Sequence, residues 1–396
     1  MEGHASSIIY ISLGAFLLPI LAGRLKLPPM VVEIVFGILL GPELLNLIQH
    51  SEAVDFLSEL GLLLLMFLSG FEIDFGRLQR QGAGQLVTGL AVFLATLAAA
   101  YLAGQRLGYG PFFTLLLATT SVGLVVPTLR ATRQSGTRLG QVILISALMA
   151  DFLTLIAVAV YAMVIEHGMG PGLLKFPLLF VAIAITLYAL KRLAWWYPER
   201  FEPLFEATQI EEMGIRASLA LMFVFVGLSQ VLGVEPILGA FLAGTCFAFV
   251  FRHRGELEHK LSGFAFGFLV PIFFIQVGTR FELGHLTRPG VLQGALTLIA
   301  AAFAVKLTAS LALFAWGFSL REVLGAGVLL SARLSLVIAV ARLGTELGLL
   351  DAVLESEVVL LAVVTAIVSP SLFRALLRPR APQAQVGRAP AGIAPE

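Results

Sequence analysis

PFFTLLLATTSVGLVVPT, residues 111–128, is apolar enough to cross a bilayer, yet it reads as a helix interrupted in its middle. Thr119, Thr120 and Ser121 follow one another, Gly123 stands one residue beyond Val122, and Pro127 lies near the end of the run. Consecutive hydroxyls compete for backbone partners, and a proline removes an N–H and clashes one turn back. Inside hydrocarbon, backbone freed in this way is tolerated only where protein or a water-lined cavity satisfies it. The segment therefore predicts a broken membrane helix. The alternative is hydroxyls making ordinary helix–helix contacts.

The surroundings support a membrane setting. The chain has 396 residues, of which 58% are hydrophobic and only 13% charged, and its mean hydropathy is +0.95. A soluble domain carries roughly 25% charge, and here the deficit runs the whole length. Apolar stretches that match about 30 Å of hydrocarbon recur about thirteen times. They fall near 6–23, 29–48, 54–74, 83–104, 111–128, 139–165, 173–190, 214–233, 236–251, 262–279, 290–316, 322–344 and 356–377. The expected fold is thus an all-α polytopic membrane protein. A net charge of +1 gives no basic field for nucleic acid. The single cysteine, Cys246, excludes an internal disulfide and a cysteine-based metal site. The first apolar run has Glu2 before it and no A-x-A site after it, so it reads as a spanning helix rather than a leader.

Lysine and arginine placement sets the expected orientation. With the N-terminus outside, Arg24, Lys26, Arg77, Arg80, Arg130, Arg133, Arg138, Lys191, Arg192, Arg200, Arg252, Arg254, Lys260 and Arg321 lie inside, with the basic tail after Leu377. Only Arg106, Lys175, Arg280 and Arg288 lie outside, an asymmetry of roughly four to one. The longest polar stretch, about 191–213, follows the seventh span. Six helices, a linker helix over 173–190 and six more would form inverted copies, the plan of many secondary transporters. The spanning unit covers 1–378, and the Pro- and Ala-rich residues 379–396 read as a disordered cytoplasmic tail.

A charge near the bilayer centre costs a few kcal/mol, so each one needs a reason. Asp151 lies about twelve residues into its helix, roughly 18 Å deep. Lys306 and Arg333 reach similar depth on two other helices. Asp151 reads either as a carboxylate that holds a cation or a proton, or as half of a structural ion pair. Lys306 and Arg333 read either as partners in that exchange or as bases that neutralise an acid or cap broken helix ends. A second interruption, Gly325, Gly327, Ser331, Arg333 and Ser335, falls at the matching place in the second half. Paired interruptions point to a midplane ion site. Glu72 and Asp74 read as an inner helix end near Arg77. Glu33 reads as capping, interfacial or functional.

Several segments then resemble the monovalent cation:proton antiporters, in the branch holding Kef-type potassium exporters and related sodium–proton antiporters. They are Leu27-Pro28-Pro29 with Glu33-Ile34 and Gly37-Ile38-Leu39-Leu40-Gly41-Pro42, and Leu60-Gly61 with Phe67 through Asp74. Gly239 through Gly244 and Pro271 through Gly278 follow in order. The resemblance implies a homodimer with scaffold helices at about 1–74 and 214–279. It implies a mobile core at about 83–165 and 290–377, in which two broken helices cross. It also implies that Thr120 and Ser121 belong to the broken segment, Asp151 binds the cation, Lys306 is the basic residue of helix 11 and Arg333 the arginine of helix 12.

Three features depart from the family pattern. Ala150 stands where many members carry a second acid or an amide, the helix-12 motif reads Arg333-Leu334-Ser335, and the nucleotide-binding domain of Kef-type exporters does not follow. The expected activity is exchange of Na+ or K+ for H+ at a midplane aspartate, without a cofactor, in a prokaryotic inner membrane. A gated potassium channel or exporter and a transport-dead ion sensor are the rival readings. No HExxH or Ser/His/Asp set lies at membrane depth to suggest an enzyme.

Overall fold

A computed structural model describes residues 2–25, 27–49, 51–71, 83–168, 170, parts of 177–192, 212–250, 255–281 and 291–377. All regular elements among them are helices. These are α1 (Glu2–Leu25), α2 (Pro29–Leu40), α3 (Glu52–Phe71), α4 (Ala83–Leu107), α5 (Pro111–Ala118), α6 (Val122–Ala131) and α7 (Arg138–His167). The second half supplies α8 (Met213–Val231), α9 (Pro236–Val250), α10 (Gly255–Phe264) and α11 (Val270–Thr279), then α12 (Val291–Ser310), α13 (Leu320–Leu330), α14 (Ser335–Glu346) and α15 (Ala352–Leu376). A π-helical turn, Ala265–Leu269, joins α10 to α11, and a 3₁₀ turn, Leu311–Trp316, extends α12.

Every predicted span that falls among the described residues has its helix. The 173–190 span, the 191–213 linker, Glu72, Asp74 and the tail lie wholly or largely outside the described residues. Among the described residues nine helical segments are long and apolar enough to cross a membrane, and α13 with α14 adds a tenth bent by 47°. The chain is a multi-pass integral membrane protein. Its solvent shows on the surface, where Phe16 of α1 is 69% exposed and Leu13, Leu17 and Ile20 are exposed beside it. Water would penalise that stripe and acyl chains do not.

Local chemistry sets several boundaries. Pro28 and Pro29 start α2 because proline fits the first helical turn, where its missing N–H is not needed. The same helix stops at Leu40, short of the expected 48, because Pro42 biases Gly41 away from the helical region and Gly41 is extended at ψ 176°. Asp351 caps α15 by accepting from Leu354 N at 2.7 Å. Ser319 and Glu322 form a capping box at the start of α13.

Packing joins α2 and α3 to α11, α3 to α9, and α9 to α8. Separately, α4 packs on α7 and α12, and α12 on α13 and α15. Apolar lipid supplies no hydrophobic drive between helices, so van der Waals packing at small residues that let backbones approach takes its place. A Cβ on Gly37 would strike Ile275 O, and one on Gly278 would strike Ile34 O. The same reciprocal contact holds between Gly70 with Phe241 O and Gly244 with Phe67 O. At both places backbone lies directly on backbone. Gly244→Val should therefore separate α3 from α9, with a cost of about 1–3 kcal/mol or more. A lowered unfolding temperature in detergent, with Gly227→Val in open space as control, is the measurement.

Candidate functional site

The two interruptions lie where the sequence places them. α5 ends at Ala118; Thr119 turns extended (φ −53°, ψ 151°) and Ser121 remains so (φ −117°, ψ 108°) before α6 begins. The Thr119 hydroxyl donates to Leu116 O at 2.8 Å, and the Thr119 N–H donates to the same carbonyl at 3.4 Å, closing the end of α5. In the second half α13 ends at Leu330, the Ser331 hydroxyl donates to Gly327 O at 2.8 Å, and α14 starts at Ser335. The breaks touch: Ser121 N donates to Ala332 O at 2.9 Å, and Thr120 Oγ1 donates to Leu330 O at 3.2 Å. Each break thus satisfies backbone groups of the other.

Two buried cations complete the crossing. Lys306, 2% exposed on α12, donates through Nζ to Ala118 O and to Thr120 Oγ1, both at 2.8 Å. Ala118 is the last residue of α5, so the ammonium sits on the negative end of a half-helix. Thr120 accepts from Lys306 and donates to Leu330 O, so one hydroxyl links the lysine to the other break. Arg333, fully buried, reaches Ser331 O through Nε at 3.4 Å and Ala302 O on α12 through Nη2 at 3.5 Å. Ser331 is the C-cap of α13, so this guanidinium caps the second half-helix as the lysine caps the first. Thr365 on α15 donates to Leu361 O one turn back at 2.8 Å, and its hydroxyl oxygen lies 3.3 Å from Arg333 O.

Asp151 lies near the middle of the 30-residue α7. It is partly buried, with Oδ1 out of solvent contact. Arg333 and Asp151 are the charges that act on the Lys306 ammonium. Ala150 beside it is buried and apolar. The structure therefore gathers Lys306, Thr120, Ser121 and Arg333 at the crossing, with Ser121 contributing its backbone N–H, and sets Asp151 within electrostatic range of Lys306. No group of three or more His, Cys, Asp or Glu converges among the described residues. A cation here would meet one carboxylate and neutral oxygens.

Beyond Asp151 on the same helix, Leu155, Val158 and Ala159 meet Ile237 of α9 and Leu336, Ala339, Val340 and Leu343 of α14 around a cavity of about 10 Å³, room for one water at most. Phe152 and Phe241 close the contact between α7 and α9, with ring centroids 5.8 Å apart. Glu235, just before α9, lines the same cavity, a placement the sequence did not signal. Arg342 pairs with Glu346 at 2.9 Å. A larger cleft of about 140 Å³ opens nearby between Ser58, Gln276 and Arg280 on one side and Ile338, Arg342 and Glu355 on the other. Its Arg280 is neutralised by Asp55 at 2.7 Å, and Gln276 donates to the same carboxylate at 2.7 Å. Glu33 is buried within α2, away from the crossing helices.

Lys306→Met removes both donors from Ala118 O and Thr120 and should lower stability by about 2 kcal/mol. Lys306→Gln keeps one donor and should lose less. Thermal unfolding of the purified protein in detergent measures the order of the two. Burial pushes the Glu235 carboxyl up from 4.5 to about 7, and the Glu166 and Glu346 carboxylates add to the rise. The folded protein then holds its proton longer than the unfolded chain. That proton's stabilisation is complete below about pH 4.5 and is lost as pH rises through about 7. Glu235→Gln should flatten the fall in unfolding temperature over that window.

Comparison with known proteins bears on the family and the fold. A family model described as "Sodium/hydrogen exchanger, transmembrane" matches residues 12–378. The putative Na(+)/H(+) antiporter YjbQ of Bacillus subtilis is 33% identical over 394 residues, covering 94% of this chain. The chain spans 63% of that relative's length. The probable Na(+)/H(+) antiporter 3 of Methanocaldococcus jannaschii is 29% identical, covering 90% of this chain and 92% of the relative. Among solved structures, the sodium proton antiporter MjNhaP1 from Methanocaldococcus jannaschii superposes with a TM-score of 0.66 over 95% of this chain and 96% of its own, at 15% identity. That likeness extends the shared architecture to the whole fold. With the family model matching nearly the full length, the chain belongs to the sodium/hydrogen exchanger family.

Proposed function

We propose that the protein exchanges a monovalent cation, Na+ or K+, for H+ at Asp151 by alternating access. What supports this reading is a carboxylate near the middle of the 30-residue α7, together with two touching helix breaks whose C-terminal ends are each held by a buried cation. The names of the similar antiporters favour the same chemistry. Asp151 holds a proton or a cation, and each displaces the other. The helices of 83–165 and 290–377 act as a mobile core against a scaffold of 1–74 and 214–279. The core moves along the apolar contacts of Phe152 and Leu155, and the N-terminus lies outside an inner membrane. Exposed apolar faces on α1 and α8 supply surface for lipid and for a second copy in a homodimer.

Lys306 gives a reason for one-to-one exchange. Its ammonium donates to a carbonyl and a hydroxyl at 2.8 Å. A neutral amine would weaken both bonds and expose a half-helix end in hydrocarbon, so the lysine stays charged through the cycle. One cation then moves against one proton, without net charge.

Proteoliposomes with a pH dye, supplied with sodium, potassium or lithium, test the reading. The wild type should couple a cation gradient to proton movement, and Asp151→Asn should abolish it. A channel would dissipate the cation gradient without moving protons, and a sensor would bind cations with neither flux. Current on a solid-supported membrane under a cation gradient, lost in Asp151→Asn, would overturn one-to-one exchange.

A further inference from the structure

Hydroxyls inside these helices have a regular habit. Thr88 donates to Gly84 O, Thr96 to Val92 O, Thr128 to Leu124 O, Ser218 to Gly214 O and Thr365 to Leu361 O, each at 2.7–2.8 Å. Bonding back one turn removes a polar group from apolar surroundings at little cost. Thr154, fully buried in the middle of α7, does not follow it. Its Oγ1 has no hydrogen-bond partner among the described residues. A hydroxyl left so in a protein interior is costly unless something else uses it.

Helix geometry places this hydroxyl. Thr154 is three residues beyond Asp151, about 60° around the axis and one turn along, so the two Cβ atoms are about 5–6 Å apart. Tyr161 lies seven residues further on, within about 20° of the same face. Its ring packs on Phe112 of α5, with centroids 5.6 Å apart. The short connection between α6 and α7 makes the α5–α6 pair and α7 antiparallel, so stepping from Tyr161 back to Thr154 matches stepping from Phe112 forward to Thr119. Both steps cover seven residues, about 10 Å. Thr154 therefore faces the extended Thr119–Ser121 segment, at the level where its carbonyls leave the helical pattern.

We infer that Thr154 is a ligand of the transported cation, supplying a neutral oxygen between the Asp151 carboxylate and the carbonyls of the broken helix. The inference rests on the exchange reading above. The oxygen set suits a hard alkali cation, which is bound by carboxylate, hydroxyl and carbonyl groups. The remaining unpartnered buried atoms fit the role less well. Arg333 Nη1 is a cationic donor, Ser146 lies about 140° around α7 from Asp151, Gln85 Oε1 is on α4, Ser369 is on α15, and Ser58 and Ser229 belong to α3 and α8.

The test uses the full chain. In proteoliposomes Thr154→Val should raise the apparent KM for the transported cation about tenfold, with a smaller effect on maximal rate, and Thr154→Ser should restore it. In detergent without alkali cation, Thr154→Val should unfold at no lower a temperature than wild type, because it removes a buried hydroxyl that lacks a protein partner. The rise in unfolding temperature that NaCl or KCl gives the wild type should shrink in the same variant. A purely structural threonine would lower the cation-free unfolding temperature and leave that rise intact, which would overturn the inference. So would an unchanged KM, or equal losses in Thr154→Val and Thr154→Ser. In those cases wild-type exchange and its loss in Asp151→Asn would leave the functional reading standing. A wild type without exchange would sink the functional reading instead, and the cation-induced shift in wild type against Thr154→Val would still decide the ligand. Should valine prevent folding, Thr154→Ala carries the same measurements.

Discussion

A helix can break inside a bilayer only if its freed backbone groups find partners in protein, because the surrounding hydrocarbon offers none. That constraint organises the centre of this molecule. Two helices break at the same depth, and each supplies what the other lacks: Ser121 N serves Ala332 O, and Thr120 serves Leu330 O. The carbonyl ends that remain carry partial negative charge, and Lys306 and Arg333 are buried on them. A cation taken into hydrocarbon is expensive on its own. Here the half-helix ends share its charge, so neither base depends on Asp151 alone. The carboxylate keeps electrostatic contact with Lys306 without being the only group that justifies it.

The same arrangement separates a region tied by hydrogen bonds from one held by apolar contact. The crossing is tied by directional hydrogen bonds, and displacing either break would strand several polar groups together. The contact of α7 and α14 with α9 is apolar, built from Phe152 against Phe241 and from Leu155, Ile237, Val340 and Leu343. Apolar surfaces lose little directional energy when they shift by a residue or two. Under the proposed exchange, the crossing travels as a unit and the contact of α7 with α9 yields.

Much of this is legible in the sequence for physical reasons. Thr119-Thr120-Ser121 with Pro127, and Gly325 through Ser335, interrupt helices by local chemistry alone, so residue order is enough to place both breaks. Depth follows equally directly, since a charge twelve residues into an apolar run must lie near the midplane. Boundaries governed by tertiary context are less readable: α2 stops at Leu40, and α10 begins at Gly255 rather than near 262. Side-chain direction is least readable. Whether Lys306 caps a helix end or simply neutralises an acid depends on where Ala118 lies, 188 residues away in sequence. The pairing of Asp55 with Gln276 and Arg280 is hidden for the same reason.

Thr154 marks the limit of sequence reading more sharply. In sequence it is one hydroxyl among many in apolar helices, and such residues ordinarily bond to the preceding turn. Its difference emerges only when two registers are combined, the i, i+3 spacing from Asp151 and the Tyr161–Phe112 contact that aligns α7 with the broken helix. Ala150 bears on the same point. Without a second acid beside Asp151, the proposed site must complete a cation's shell with uncharged oxygens. The neighbouring helix turn and the opened backbone are the places that hold them. A single negative charge among neutral ligands balances one proton or one alkali cation equally well, and that equality is what the proposed exchange at one position requires.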